Sequence, residues 1–154
     1  MKIGMVGLGR MGSNMTRRLL EAGHQVVAFD LSPANVHAAV EAGARGSESL
    51  EDLVSKLEAP RVVWCMVPAG PPTEAVITGV GRLLTADDIV IDGGNTHYKD
   101  DVRRAEALQT RDVRYVDVGT SGGVWGAQRG YCLMVGGPKE AVAVLEPILE
   151  ALAP

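Results

Sequence analysis

Three glycines at spacings of two and three residues, Gly7-Leu8-Gly9-Arg10-Met11-Gly12, form a G-x-G-x-x-G. Such a turn can receive a pyrophosphate. The first glycine permits the tight turn, the second lets backbone amides approach the anion, and the third lets the following helix pack close to its strand. Unpaired N–H groups and the helix dipole then favour negative charge at the helix N-terminus. In a chain with nineteen glycines the pattern alone is weak. Its setting gives it meaning: it follows the apolar run Lys2–Val6, opens a helical pattern, and is followed eighteen residues after Gly12 by Asp30. A carboxylate there accepts hydrogen bonds from the adenosine ribose hydroxyls and repels a 2′-phosphate. Leu31-Ser32-Pro33 brings no arginine to receive one, and Arg45 is the nearest later cation. The expected cofactor is NAD, in preference to NADP. Val67-Pro68-Ala69 ends the third clear strand and is expected beside the nicotinamide ribose.

Two further segments could serve a substrate. Asp92-Gly93-Gly94-Asn95-Thr96-His97 and Gly119-Thr120-Ser121-Gly122-Gly123-Val124-Trp125-Gly126 each follow an apolar strand directly. Both are expected to project from the sheet edge that carries the dinucleotide turn. Gly122 and Gly123 would bring backbone amides close to a small polyhydroxylated acid, and Ser121 and Asn95 add directional donors and acceptors. The second segment also fits the G-x-S-x-G nucleophile elbow of hydrolases. That chemistry needs a helix after the serine and a later histidine, but His24, His37 and His97 all precede Ser121. A hydrolase is set aside. His97 reads as a loop residue and Lys99 as a solvated residue at a helix start.

The elements that must position these residues alternate. Strands are expected at Lys2–Val6, Gln25–Asp30, Arg61–Val67, Asp88–Asp92, Arg114–Val118 and Tyr131–Val135, with a minor edge strand near Ala44-Arg45. Helices are expected at Met11–Ala22, Pro33–Ala42, Leu50–Leu57, Thr73–Leu84, Asp101–Thr110 and Pro138–Leu152. Ser32 caps the second helix, and Ser49 with Asp52 has capping-box spacing at the third. The fifth is expected to turn Val102, Ala105 and Leu108 to one face. This order predicts an α/β fold, a Rossmann-type doubly wound, mostly parallel sheet with helices on both faces, over residues 1–154 as one domain.

Composition narrows the partners. Fifteen Lys plus Arg against nineteen Asp plus Glu give a net charge of −4, and only six aromatics are present. Nucleic acid is excluded as a main partner, since it needs a basic face and stacking platforms. No apolar run approaches the ~20 residues of a membrane helix. Met1-Lys2-Ile3-Gly4 enters structure with no signal peptide. Cys65 and Cys132 lie in apolar runs and read as buried thiols in a reduced cytoplasm. Neither has a CxxC partner, and no metal is expected. Met5, Met11 and Met15 read as core filler.

The glycine fingerprint, Ile91-Asp92-Gly93-Gly94-Asn95 and Gly119-Thr120-Ser121-Gly122-Gly123 together resemble the N-terminal domain of 6-phosphogluconate dehydrogenase. The likeness is closer to the shorter, NAD-preferring bacterial branch. It runs over essentially all 154 residues, including Tyr131-Cys132-Leu133-Met134-Val135-Gly136-Gly137. The resemblance implies oxidation of the C3 hydroxyl of 6-phosphogluconate by hydride transfer to the nicotinamide. Loss of CO₂ then leaves ribulose 5-phosphate, a step of the pentose phosphate pathway. It implies cofactor contacts from Gly7, Leu8, Gly9, Arg10, Met11 and Gly12, from Asp30, Leu31 and Ser32, and from Val67, Pro68 and Ala69. Asn95 would stand near both nicotinamide and substrate in a supporting catalytic role. Ser121, Gly122 and Gly123 would hold the substrate around its carboxylate.

The same resemblance puts the general base, a lysine, and the general acid, a glutamate, in a second helical domain beyond residue 154. That domain would also supply most of the sugar-phosphate pocket and the dimer interface, so the complete enzyme is expected to be a homo-oligomer. The chain holds no Lys-x-x-His-Asn segment. Alone it is expected to bind NAD, turn over little or nothing, and expose apolar surface around Val142–Leu152. Two other readings stand beside this one: the nucleotide domain of a β-hydroxyacid dehydrogenase or imine reductase, and a non-catalytic NAD-binding module. Asn95 and Ser121 beside Gly122-Gly123 favour an oxidoreductase.

Overall fold

The computed structural model describes residues 1–94 and 97–154, with Tyr98 described by its backbone alone. Seven strands alternate with helices. β1 (Lys2–Val6), α1 (Arg10–Glu21), β2 (Gln25–Phe29), α2 (Pro33–Glu41), β3 (Arg45–Gly46), α3 (Leu50–Ser55) and β4 (Val62–Cys65) form the first half. α4 (Pro71–Leu83), β5 (Ile89–Asp92), α5 (Tyr98–Gln109), β6 (Arg114–Ser121), α6 (Gly126–Arg129), β7 (Cys132–Gly136) and α7 (Lys139–Leu152) form the second.

The strands make one sheet in the order β3-β2-β1-β4-β5-β6-β7, parallel except for β7. From β1 the chain winds outward to β3, then crosses back to β4 on the other side of β1. Strand order therefore reverses between β1 and β4, and the crevice outside their carboxyl ends is where an open α/β sheet takes a ligand.

Alternation along the strands divides the core into two layers. Ile3, Met5, Trp64, Ile89, Ile91, Val116 and Val118 face α1, α2 and α7, which bury Met15, Leu19, Ala39, Leu145 and Ile148. Val63, Cys65, Val90 and Tyr115 face α3, α4 and α5, which bury Leu53, Ile77, Val80 and Leu108. The doubly wound sheet expected from the sequence is present. Met5 and Met15 are fully buried, and Met11 packs against the same cluster.

Four local expectations are corrected. β6 does not stop at Val118 but runs to Ser121, because antiparallel β7 holds it in register down to Ser121 opposite Cys132. Cys132 is exposed, since β7 is an edge strand, whereas Cys65 is buried and burial pushes its thiol up. α5 starts at Tyr98 and buries Asp101, Arg104 and Leu108, leaving Val102 54% exposed. α7 exposes no apolar stripe: Ala141, Leu145, Ile148 and Leu152 are fully buried, and the large exposed apolar side chains nearest in sequence are Val124, Trp125, Met134 and Val135.

α1 and α7 lock together through one arginine. Arg18 donates from Nε to the carbonyl of Ala151 at 2.8 Å and from Nη2 to that of Ala153 at 2.7 Å. These carbonyls close α7, where backbone acceptors lack helical partners and a cation complements the dipole. Arg18→Met keeps the apolar stem and removes both bonds. It is expected to lower unfolding stability by about 1.5–3 kcal/mol, read as a fall in the urea midpoint at constant slope.

Candidate functional site

The turn between β1 and α1 is built by exclusion. Gly7 has φ +97° and donates its N–H to the carbonyl of Phe29 at 2.9 Å. A Cβ there would strike the carbonyl oxygen of Met66, and a Cβ on Gly12 would strike that of Gly7. Both positions are glycine because the protein's own backbone fills the space. Gly9 is different. Its φ of −65° suits any residue, and a Cβ would meet nothing within 4 Å. Gly9 caps α1 with no side-chain bond to the first turn, and that turn holds no carboxylate. The result is an uncapped ring of helix amides beside an open cradle, with the polarity and room an anion needs. Leu8 is buried in the core, so only its backbone faces the turn, while Arg10 is exposed.

Asp30 follows β2, and its Oδ1 accepts from the Leu8 N–H at 3.4 Å. Its Oδ2 accepts from the Ser32 N–H at 3.3 Å and from Asn35 Nδ2 at 2.7 Å. Leu31, between Asp30 and Ser32, is 92% exposed. The structure thus brings Asp30 against the glycine turn. It also adds Asn35, which sequence reasoning missed. The available signal was its place three residues after the Ser32 cap, from which a side chain reaches back over the helix start.

Met66 joins three loops. Gly7 abuts its carbonyl, Gly12 stands 3.6 Å from its Cβ, and Gly93 2.8 Å from its Sδ, each measured from an ideal Cβ. Val67-Pro68-Ala69 continues from it, and buried Thr73 donates its hydroxyl to the Pro68 carbonyl at 2.8 Å, tying this loop to α4. A Cβ on Gly94 would lie 2.9 Å from the carbonyl of Val67. The fingerprint turn, the β4 loop and Gly93-Gly94 therefore meet at the carboxyl ends of β1, β4 and β5. Asn95, expected to contact both cofactor and substrate, lies outside the described residues.

Ser121, Gly122 and Gly123 share this edge but stand at the end of β6, two strands from β4. Ser121 is exposed. A Cβ on Gly122 would come within 2.9 Å of the Tyr131 ring, and one on Gly126 would enter it. Gly123 has φ +51°, and its amide opens a single 3-10 turn, Gly123–Trp125. The Trp125 ring carries the Arg129 guanidinium 5.0 Å from its centroid.

Behind the β5 loop lies a charged cluster that the sequence did not reveal. Asp92 is fully buried, and its Oδ1 accepts from the Gly94 N–H at 2.9 Å. Its Oδ2 accepts from Arg104 Nη1 at 3.2 Å and from the Tyr115 hydroxyl at 2.9 Å. Tyr115 also lies 2.6 Å from Asp101 Oδ1. The hydroxyl carries one proton, so the two carboxyl groups compete for it. Burial, the largest cause, pushes the Asp101 carboxyl up. Arg104 Nε reaches Glu74 at 2.7 Å, and Arg103 grips the same carboxylate with two bonds. Bonds from Arg103 and then Arg104 hold Glu74 down at about 2. The readable signal was Asp92 itself, a carboxylate closing an otherwise apolar strand and needing partners.

Comparison with known proteins places this geometry. The family model described as the NAD binding domain of 6-phosphogluconate dehydrogenase matches residues 2–154. An NAD(+)-dependent, decarboxylating 6-phosphogluconate dehydrogenase of Haloferax volcanii is 48% identical over 153 residues, covering 99% of this chain and 50% of the relative. The chain thus spans about half the length of that curated relative. Among solved structures, Plasmodium falciparum 6-phosphogluconate dehydrogenase superposes with a TM-score of 0.92 at 30% identity, over all of this chain and 34% of that one. That enzyme was solved with NADP+ and with 6-phosphogluconate, so relatives use either dinucleotide. A 3-hydroxyisobutyrate dehydrogenase of Mycobacterium tuberculosis superposes with a TM-score of 0.90 at 29% identity, over 99% of this chain and 52% of that one.

The buried carboxylates also set a pH dependence. Asp117, next along β6, borders with Asp101 and Tyr115 a groove of about 790 Å³ that includes no fingerprint residue. Burial, then the charges of Asp101 and Asp92, push Asp117 up to about 6. A carboxyl raised in the folded state favours folding while protonated. That contribution is complete below its ordinary value of 3.8 and is lost as pH rises through about 6. Asp117→Asn is therefore expected to melt higher than the parent at about pH 8 and to lose that advantage near pH 3, read by thermal unfolding across the range.

Proposed function

The chain belongs to the family of 6-phosphogluconate dehydrogenase NAD-binding domains, and from that premise we propose that it holds NAD in preference to NADP, as the dinucleotide-binding half of an oxidoreductase acting on 6-phosphogluconate. Gly9 carries this reading. Gly7 and Gly12 are glycine for the protein's own packing, whereas nothing in the fold requires a missing side chain at Gly9. Space kept open over free helix amides fits a pyrophosphate. The amides of Gly9, Arg10, Met11 and Gly12 would hold it, with Leu8 contributing its backbone. Asp30 would take the adenosine ribose with Leu31 and Ser32 beside it, and Val67, Pro68 and Ala69 would line the nicotinamide side. The bound nicotinamide supplies the hydride acceptor.

NAD is favoured over NADP because the carboxylate of Asp30 meets the position of a 2′-phosphate and no arginine adjoins it. Asn95 and Ser121-Gly122-Gly123 are the substrate-facing candidates, the latter at the end of β6. Residues 1–154 form the dinucleotide domain, and the lysine base, glutamate acid and dimer interface belong to a helical domain outside them. Oxidative decarboxylation to ribulose 5-phosphate is then the activity of the complete homo-oligomeric enzyme in the cytoplasm, and this chain alone is inactive. A 3-hydroxyacid dehydrogenase shares the nucleotide end. Substrate profiling of the complete enzyme separates the two, and turnover of 3-hydroxyisobutyrate without 6-phosphogluconate would replace this reading.

Gly9→Ser tests the cradle directly. Serine is a good helix cap in this backbone conformation, so stability is expected to change by no more than about 0.5 kcal/mol. NAD affinity by calorimetric titration is expected to fall about tenfold or more, as the side chain fills the space and its hydroxyl occupies the amides. Undiminished NAD binding by Gly9→Ser would sink the assignment.

A further inference from the structure

The carboxylate of Asp30 is held asymmetrically. Oδ2 accepts two bonds from the protein, from Asn35 Nδ2 at 2.7 Å and from the Ser32 N–H at 3.3 Å. Oδ1 has the Leu8 N–H at 3.4 Å, a long contact. Each carboxylate oxygen accepts about two bonds, so Oδ2 is filled while Oδ1 keeps capacity on the side of the glycine turn. We propose that Asn35 is a specificity-determining positioning residue, which anchors Oδ2 of Asp30 so that Oδ1 is presented to the adenosine ribose diol of NAD. The inference rests on the NAD-binding reading above and adds to it the residue that aims the carboxylate.

Local structure explains how Asn35 comes to do this. Ser32 caps α2, and its Oγ accepts the Asn35 N–H at 3.3 Å, which fixes Asn35 in the first turn. In a capping box, a side chain at this position returns to the N–H of the cap residue. Here Asp30 takes the Ser32 N–H, and Asn35 bonds Asp30 instead. Helix cap and cofactor carboxylate thus form one bonded unit. The chemistry of the amide matters as well. Facing an acceptor-only carboxylate, Asn35 must present its NH₂, which orients Asp30 without neutralising it. A lysine or arginine in its place would cancel the charge and offer a 2′-phosphate a partner. Asn35 therefore preserves the repulsion on which discrimination depends.

The test is calorimetric titration with NAD and with NADP of the parent chain, Asn35→Ala, Asp30→Ala and the double variant. Asn35→Ala is expected to weaken NAD about threefold to tenfold while NADP changes less than about twofold, so the preference narrows. In the Asp30→Ala background, removing Asn35 is expected to alter NAD affinity less than about twofold, because its effect passes through the carboxylate. Asn35→Asp keeps a residue favoured in a first helical turn and loses the donor. It is expected to reproduce the NAD loss with α2 intact. Equal weakening of both dinucleotides, or a loss that persists without Asp30, would overturn the proposal. A parent chain that binds NAD while Asn35→Ala binds it equally well removes this inference alone. A parent chain that binds no NAD removes the underlying reading with it.

Discussion

No atom can be added at Gly7 or Gly12, because the carbonyl of Gly7 lies where a Cβ of Gly12 would be and the carbonyl of Met66 where one of Gly7 would be. This contact sets the spacing of three backbones: the end of β1, the first turn of α1 and the residue after β4. Close-packed interiors transmit such constraints rather than absorbing them. With α1 drawn over β1, the Leu8 N–H comes within reach of Asp30, and Met66 is turned to meet Gly93. The candidate cofactor turn and Gly93 after β5 are therefore positioned by the same approach. The loop after β6 is set independently, by the ring of Tyr131 against Gly122 and Gly126.

The β5 loop is supported by charge as well as by the packing of Trp64 and Met66 against Gly93. Burying Asp92 and Arg104 carries a desolvation penalty that their mutual attraction need not exceed. What the cluster supplies is direction. Arg104 and Tyr115 each meet Oδ2 of Asp92 along a defined line, and Oδ1 fixes the Gly94 N–H. A hydrophobic substitute of equal volume could fill the space without orienting that peptide. The arrangement places a hydrogen-bonded support beneath two glycines, whose backbone is otherwise free to adopt many conformations.

The β1–α1–β2 unit was legible because its determinants are local: an apolar run, glycines at fixed spacing and an acidic residue closing the next strand. The order of strands and helices was legible for the same reason. The face of α5 was legible only in part, since Ala105 and Leu108 pack as expected and Val102 does not. Helical periodicity assigns Val102 to the core, but the buried Asp92 draws Arg104 inward, and Asp101 follows through Tyr115, so polar partnership overrides hydropathy there. The length of β6 depended on a register with β7 that no local pattern encodes. Asn35 acts from an exposed position, where periodicity carries no signal. The cover over α7 was misjudged because it comes from the far end of the chain, where α1 supplies it.

That pairing has a consequence for how the molecule is made. Met15 and Leu19 of α1 share a buried cluster with Leu145, Ile148 and Leu152, and Arg18 bonds carbonyls 133 and 135 positions later. Chains emerge from the ribosome N-terminus first, at about 5–20 residues per second. The helix bearing the fingerprint is thus synthesised long before α7, one of the elements it packs against. Until α7 is made, the part of the α1 apolar face that meets Leu145, Ile148 and Leu152 lacks that cover. Cooperative closure of this layer waits on the last turn of α7, a long-range step of the kind that slows folding. Completion of the nucleotide end is in this sense a late event, although its motif is the first to be read.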